Sequence, residues 1–125
     1  MAKAAAGALI TAIIIKLFLF DLVIAEGHSM EPAVRSGALL VVNRLQYGLR
    51  LPGGQRFLIR WANPKPGEVV VFYTPGGQLA VKRCGAGAGE NAFVLLGDNS
   101  LQSLDSRSYG PIRGDDIIGK VLGIR

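Results

Sequence analysis

The feature that most constrains this chain is an apolar run near its start. Residues 4–20 read AAAGALITAIIIKLFLF, and only Thr11 and Lys16 interrupt the run. As a helix this stretch is roughly 25 Å long, a little short of the ~30 Å hydrocarbon core of a bilayer, and Lys16 at its outer end has a stem long enough to snorkel. Lys3 before the run and Val23-Ile24-Ala25 after it also fit a cleavable secretory signal with a small-residue site. Lys16 and Asp21, however, break the run where such a signal stays apolar, which favours an uncleaved anchor. The amino terminus and Lys3 on one side, against Asp21 and Glu26 on the other, favour an inside amino terminus. The expected organisation is a membrane anchor over residues 1–20 with a cytoplasmic N-terminus, followed by an extracytoplasmic domain over residues 21–125.

Behind the anchor, about 100 residues are enough for one small globular domain. The chain's seventeen glycines and six prolines are scattered rather than periodic, so short strands joined by turns are expected instead of long helices. Residues 18–25 suit an extended lead into the next loop, and residues 38–43 (ALLVVN) read as a short buried strand. Phe57, Leu58, Ile59 and Trp61 fit either a core strand or an apolar lip beside Arg56 and Arg60 at a membrane interface. Residues 68–73 (EVVVFY), the turn TPGG and residues 79–84 (LAVKRC) make a hairpin. Residues 85–89 (GAGAG) read as too flexible for regular structure, and residues 93–96 and 117–124 supply two further strands. The fold class expected is mainly β, a small antiparallel β-sheet domain behind one N-terminal transmembrane helix.

Charge and rare residues narrow the chemistry. The net charge is +5, but the nine arginines are dispersed, without the run or aromatic interleaving of a nucleic-acid groove; a basic surface near anionic lipid, or simple solubility, is the better reading. The single cysteine, Cys84, excludes an internal disulfide and a cysteine-cluster metal site, and the single histidine, His28, leaves no His-rich zinc site. No metal and no cofactor is expected.

Nucleophilic chemistry has one strong candidate. In residues 26–32 (EGHSMEP), Ser29 sits between a glycine turn and a Met-X-Pro bend, a setting that can display its hydroxyl among backbone N–H groups, although serines near Gly and Pro are most often turn residues. A serine nucleophile needs a base, and His28 adjoins Ser29, so its side chain diverges from it. Of the lysines, Lys3 and Lys16 belong to the anchor, Lys65 lies between prolines and Lys120 is near the C-terminus. Lys82 alternates with small Ala80 and Cys84 on one face of an apolar strand. Burial there would lower its pKa and make a neutral amine, a competent base; an exposed strand lysine is the plain alternative. Ser103, Asp105, Ser106 and Arg107 form a polar turn in which an Asp105–Arg107 pair can fix the loop and one hydroxyl can orient an amine.

Taken together, these segments resemble the type I signal peptidases, membrane-anchored serine proteases with a Ser/Lys dyad. KLFLFDLVIAEGHSMEP is similar to the family's anchor end and its Gly-X-Ser-Met-X-Pro box, GEVVVF to its Gly-Asp-Ile-Val-Val-Phe strand, VKRCGAGAGE to its Lys-Arg box, and LGDNSLQSLDSRSYG to its Gly-Asp-Asn…Ser-X-Asp-Ser-Arg box. The resemblance implies Ser29 as nucleophile, Lys82 as general base and Ser103 as the hydroxyl that holds the lysine. It further implies Asp98, Asn99, Asp105 and Arg107 as structural support, and an oxyanion site at Gly27 and the Ser29 N–H. Removal of signal peptides from secreted preproteins after small residues is the implied activity, with the bilayer as second partner and a single-pass place in the cytoplasmic (inner) membrane.

This chain departs from the pattern at Ala33 (usually Thr), Ser100 (usually Arg), Cys84 and Ala88 (usually β-branched and Pro), and at Gly27, where some members carry an oxyanion serine. The short segment between the last two boxes marks a minimal form. A conjugation-type processing protease with one dedicated substrate, or a catalytically silent membrane-tethered subunit or binding module, are the alternatives. A self-cleaving repressor would need a DNA-binding domain where this chain has its apolar segment.

Overall fold

A strand buried on both faces has no polar alternation to show, and residues 69–73 (VVVFY) are such a strand. In the computed structural model, which describes residues 2–15, 19–50 and 57–124, it is the fifth of nine strands. In chain order the elements are α1 (Ala2–Ile14), β1 (Phe20–Ile24), β2 (Leu39–Asn43), β3 (Gly48–Arg50), β4 (Phe57–Arg60), β5 (Val69–Tyr73), β6 (Leu79–Gly87), β7 (Ala92–Leu96), α2 (Ser106–Tyr109), β8 (Ile112–Arg113) and β9 (Ile117–Val121). Seven strands form one sheet in the order β1-β2-β9-β5-β6-β7-β8 with antiparallel neighbours, and β3 pairs with β4 in a separate ribbon. The expected antiparallel β domain is therefore present.

Alternate residues of β5 feed two cores. Val69 and Val71 join Met30, Val34, Leu40, Val42 and Val121 on one face. Val70 and Phe72 join Tyr47, Cys84, Phe93, Leu95 and Ile117 on the other, where burial pushes the Cys84 thiol up to about 11. Phe72 is fully buried. Phe72→Ala is expected to cost about 3–5 kcal/mol of stability, readable as a lowered denaturation midpoint with an unchanged slope. A loss below about 1 kcal/mol would mean that this core is not packed as described.

The sheet curls. β1 and β6 are separated in the ladder by β2, β9 and β5, yet Val23 of β1 lines the same cavity as Leu79, Ala80, Val81 and Lys82 of β6. The seam between them is open, because β1 is an edge strand and the β6–β7 ladder starts only at Arg83, opposite Leu96. Leu79–Lys82 are thus paired on one side alone, with β5.

Three expectations need correction. The expected anchor boundary at residue 20 moves: α1 is described over Ala2–Ile14, and Phe20 already belongs to β1, paired with Asn43 of β2. Phe, Leu, Val and Ile serve strand and helix alike, so composition alone does not place this boundary. At about 20 Å, α1 is shorter than a bilayer core, and among the described residues no helix is long and apolar enough to cross a membrane. Lys16, with its snorkelling role, and Arg56, beside the expected lip, lie outside the described residues. Second, the glycine segment is regular: β6 runs through Gly87, which sits opposite Phe93 across a bulge. Third, residues 57–61 are both strand and exposed lip. Phe57 packs against the second core, whereas Leu58, Ile59 and Trp61 remain more than half exposed. The ribbon is held down by Arg50, which donates to the Asp115 carbonyl, and by Arg60, which donates to Asn91. Arg50 also stacks 4.6 Å from the Phe57 ring centre.

Candidate active site

The loop after β1 is fixed from both ends before it displays anything. Ala25 donates to Ala38 O (2.9 Å) and accepts from Gly37 N (2.7 Å), closing the loop's base. Met30 and Val34 then plug into the first core, and Val34 N bonds Met30 O at 2.9 Å. Gly27 takes φ +77°, a conformation L side chains rarely adopt, and this turns the chain just ahead of Ser29. From the other side Asn99 clamps the loop: its N–H donates to Ser29 O (2.8 Å) and its Nδ2 to His28 O (3.1 Å). His28 lies in the turn that Glu31 N–H closes onto His28 O, and its ring pairs with Glu31 at 2.6 Å rather than with Ser29. The Ser29 N–H itself has no hydrogen-bond partner among the described residues.

Across the seam, β6 delivers the lysine. Lys82 stands opposite Val70 in the ladder and is 6 % exposed. Its Nζ lies 2.6 Å from Ser29 Oγ, so the fold brings together the two side chains singled out from the sequence. Burial lowers the Lys82 pKa, and the negative charge of Asp105 only partly restores it. The pair opens into a cavity of about 430 Å³ whose walls include Ala25, Met30, Val34, Val71 and Val81.

Beneath the pair lies the polar turn, organised around a fully buried carboxylate. Asp105 accepts from Gly97 N (2.8 Å), Ser103 Oγ (2.8 Å), Arg107 N (3.0 Å) and Arg107 Nε (3.0 Å), and pairs with Arg107 Nη2 at 2.5 Å. Burial alone would raise its pKa, but the Arg107 pair and the other donors outweigh that and hold the carboxyl well below the usual range. Ser103 thus commits its proton to Asp105, and no hydrogen bond joins it directly to Lys82 among the described residues. Gly97 is the spacer that lets these parts meet: a Cβ there would fall 2.0 Å from Ser103 Oγ and 2.8 Å from Ser29 O.

Arg83 has a role that the sequence did not single out. It forms a bidentate pair with Asp98, both contacts at 2.8 Å, and donates to Gly67 O at 2.8 Å, tying β6 to the loop that carries Asn99. The available signal was its adjacency to Lys82 in an alternating strand, which puts a cation on the opposite face. Among the described residues no group of His, Cys, Asp or Glu is placed to hold a metal ion.

The fold is thus a curled antiparallel sheet with a cavity at its open seam, where a serine hydroxyl and a lysine amine are in contact. The chain belongs to the signal peptidase, peptidase S26 family, whose pattern matches residues 1–94 and 89–124. It is 36% identical over 110 residues to signal peptidase I of Haemophilus influenzae, a match covering 88% of this chain and 29% of that protein. Signal peptidase I of Bacillus caldolyticus is 28% identical over 145 residues, covering 86% of this chain and 80% of the relative. Signal peptidase I of Pseudomonas fluorescens is 28% identical over 113 residues, with 89% and 36% covered. The chain thus spans about a third of the length of the Haemophilus and Pseudomonas relatives.

Proposed function

We propose that this protein is a serine endopeptidase that removes signal peptides from preproteins at a membrane surface. The observation that carries the reading is the 2.6 Å contact between Ser29 Oγ and Lys82 Nζ at the mouth of the seam cavity. β1 runs toward Ser29 and the first half of β6 runs toward Lys82, so an extended peptide laid in the seam finds backbone partners on both rims and meets the pair at their common end. Walls of Val, Met and Ala exclude bulk more readily than they rank methylenes, which suits small residues before the cut.

Neutral Lys82 takes the Ser29 proton as Oγ attacks the scissile carbonyl, and the unpartnered Ser29 N–H, on the turn made by Gly27, stabilises the oxyanion. Lys82 then protonates the leaving amine, and water activated by the same amine releases the acyl group. Ser103, its proton committed to Asp105, keeps its oxygen lone pairs for the lysine ammonium and so orients it. Asp98, Asn99, Asp105 and Arg107 hold the frame.

The bilayer is the second partner in this reading. Helix α1 buries no residue, and it leads into an outward row of exposed Phe20, Leu22 and Ile24 on β1 beside Leu39 and Val41 on β2. Apolar surface of this extent needs a cover, and an N-terminal single-pass segment with its amino terminus in the cytoplasm, in the cytoplasmic membrane, supplies one.

The test is cleavage of a membrane-inserted precursor with an Ala-X-Ala site by the full chain in liposomes, the cut mapped by mass spectrometry. A cut after the second alanine is expected. A folded protein that cuts none of several such precursors contradicts the reading.

A further inference from the structure

A second cavity, of about 200 Å³, continues the seam away from the Ser29/Lys82 pair. The two cavities share Val23, Val71 and Leu79, so they form one groove. At its far end the lining turns polar: Asp21 on β1, Arg44 after β2, Arg50 on β3 and Tyr73 on β5. None of these residues takes part in the chemistry at Ser29. Asp21 uses one carboxylate oxygen on its neighbour Leu22 N (2.9 Å), and Arg50 is fixed by its bond to the Asp115 carbonyl.

Register says which part of a bound peptide reaches this end. In a strand parallel to β1 residues advance one for one, and alternate side chains share a face. Along β1 the inward face carries Asp21 and Val23, followed by Ala25, whereas Phe20, Leu22 and Ile24 point outward. A peptide whose first residue before the cut lies beside Ala25 sets its third beside Val23 and its fifth beside Asp21, all three facing the groove.

We infer that the second cavity is a specificity subsite for the side chain of the fifth residue before the cut, and that it takes a neutral side chain able both to donate and to accept, above all a carboxamide. This rests on the peptidase reading above for the direction of the peptide. A carboxylate there meets Asp21, and an ammonium meets the buried Arg50 guanidinium. An aliphatic chain leaves the buried Arg50 Nε and Nη1, which have no hydrogen-bond partner among the described residues, unsatisfied, whereas a carboxamide offers its NH2 to Asp21 and its oxygen to Arg50.

Binding separates this inference from catalysis. Full-length Ser29→Ala protein in detergent is titrated with fluorescent peptides that carry Ala at the first and third positions before the cut and Gln, Leu, Glu or Lys at the fifth. The Gln peptide is expected to bind about 5–10-fold more tightly than each of the others, one net hydrogen bond's worth, and Asp21→Ala in the same background is expected to bring the Gln/Leu ratio close to one. Equal affinities, a preference for Leu, Glu or Lys, no binding of any peptide, or a Gln preference that survives Asp21→Ala each overturn it. The same peptides offered to protein with Ser29 intact divide the two claims. Cutting without a fifth-position preference removes the subsite and leaves the peptidase, whereas a Gln preference in binding with no cutting removes the peptidase and leaves the subsite.

Discussion

Lys82→Met is expected to lower precursor cleavage by at least about 10³-fold, the upper part of the range for loss of a positioned general base, with the fold retained. Methionine fills nearly the same volume without an amine, and removing a buried amine relieves desolvation, so a stability loss cannot explain the effect. Ser29→Ala is expected to do the same. Because the two groups act on one proton, the double substitution should cost no more than either alone. Additive losses would show that the 2.6 Å contact is not the catalytic unit. Rates of precursor cleavage, with denaturation midpoints measured on the same samples, decide between these outcomes.

Asp105→Ala is expected to remove about 1–3 kcal/mol of stability, the range for leaving a buried hydrogen-bonding group unsatisfied, and most of the activity with it. The substitution strands Gly97 N–H, the Ser103 hydroxyl and three Arg107 donors around a vacated site. Direction with pH gives an independent check. The folded carboxyl is held below its ordinary range, so the stability it contributes is complete above the unfolded value of ~3.9 and is lost as pH falls toward the folded pKa. The gap between parent and Asp105→Ala in urea denaturation should therefore be constant near neutrality and narrow below about pH 4. A gap that stays constant on acidification would mean that the carboxylate is not the organising charge.

The site was more legible in the sequence than its supports were. Ser29 and Lys82 stood out because each had a local reason to be unusual, one a strained turn and the other an amine in an apolar strand, and elimination among so few bases left one pairing. The β5–β6 hairpin was legible for the same reason: a run of β-branched residues, a Gly-rich turn and an alternating return. The strand through Gly85 and Gly87 was not, because glycine has no side chain to report its partner and its pairing with β7 is decided across the sheet. Nor was β3, three residues long, held by an arginine that reaches to Asp115. The proton of Ser103 was ambiguous for a different reason, since a hydroxyl in a polar turn has several acceptors and only the fold chooses Asp105.

The most direct measurement is the titration of Lys82 itself, by NMR of the full chain carrying 13Cε-labelled lysine in detergent, the resonance assigned by its absence in Lys82→Met. A midpoint clearly below the ~10.4 of an unperturbed lysine, with cleavage rising through the same pH, is the predicted result, since only the neutral amine can take the Ser29 proton. A Lys82 that titrates at or above that value in the folded protein would contradict the dyad.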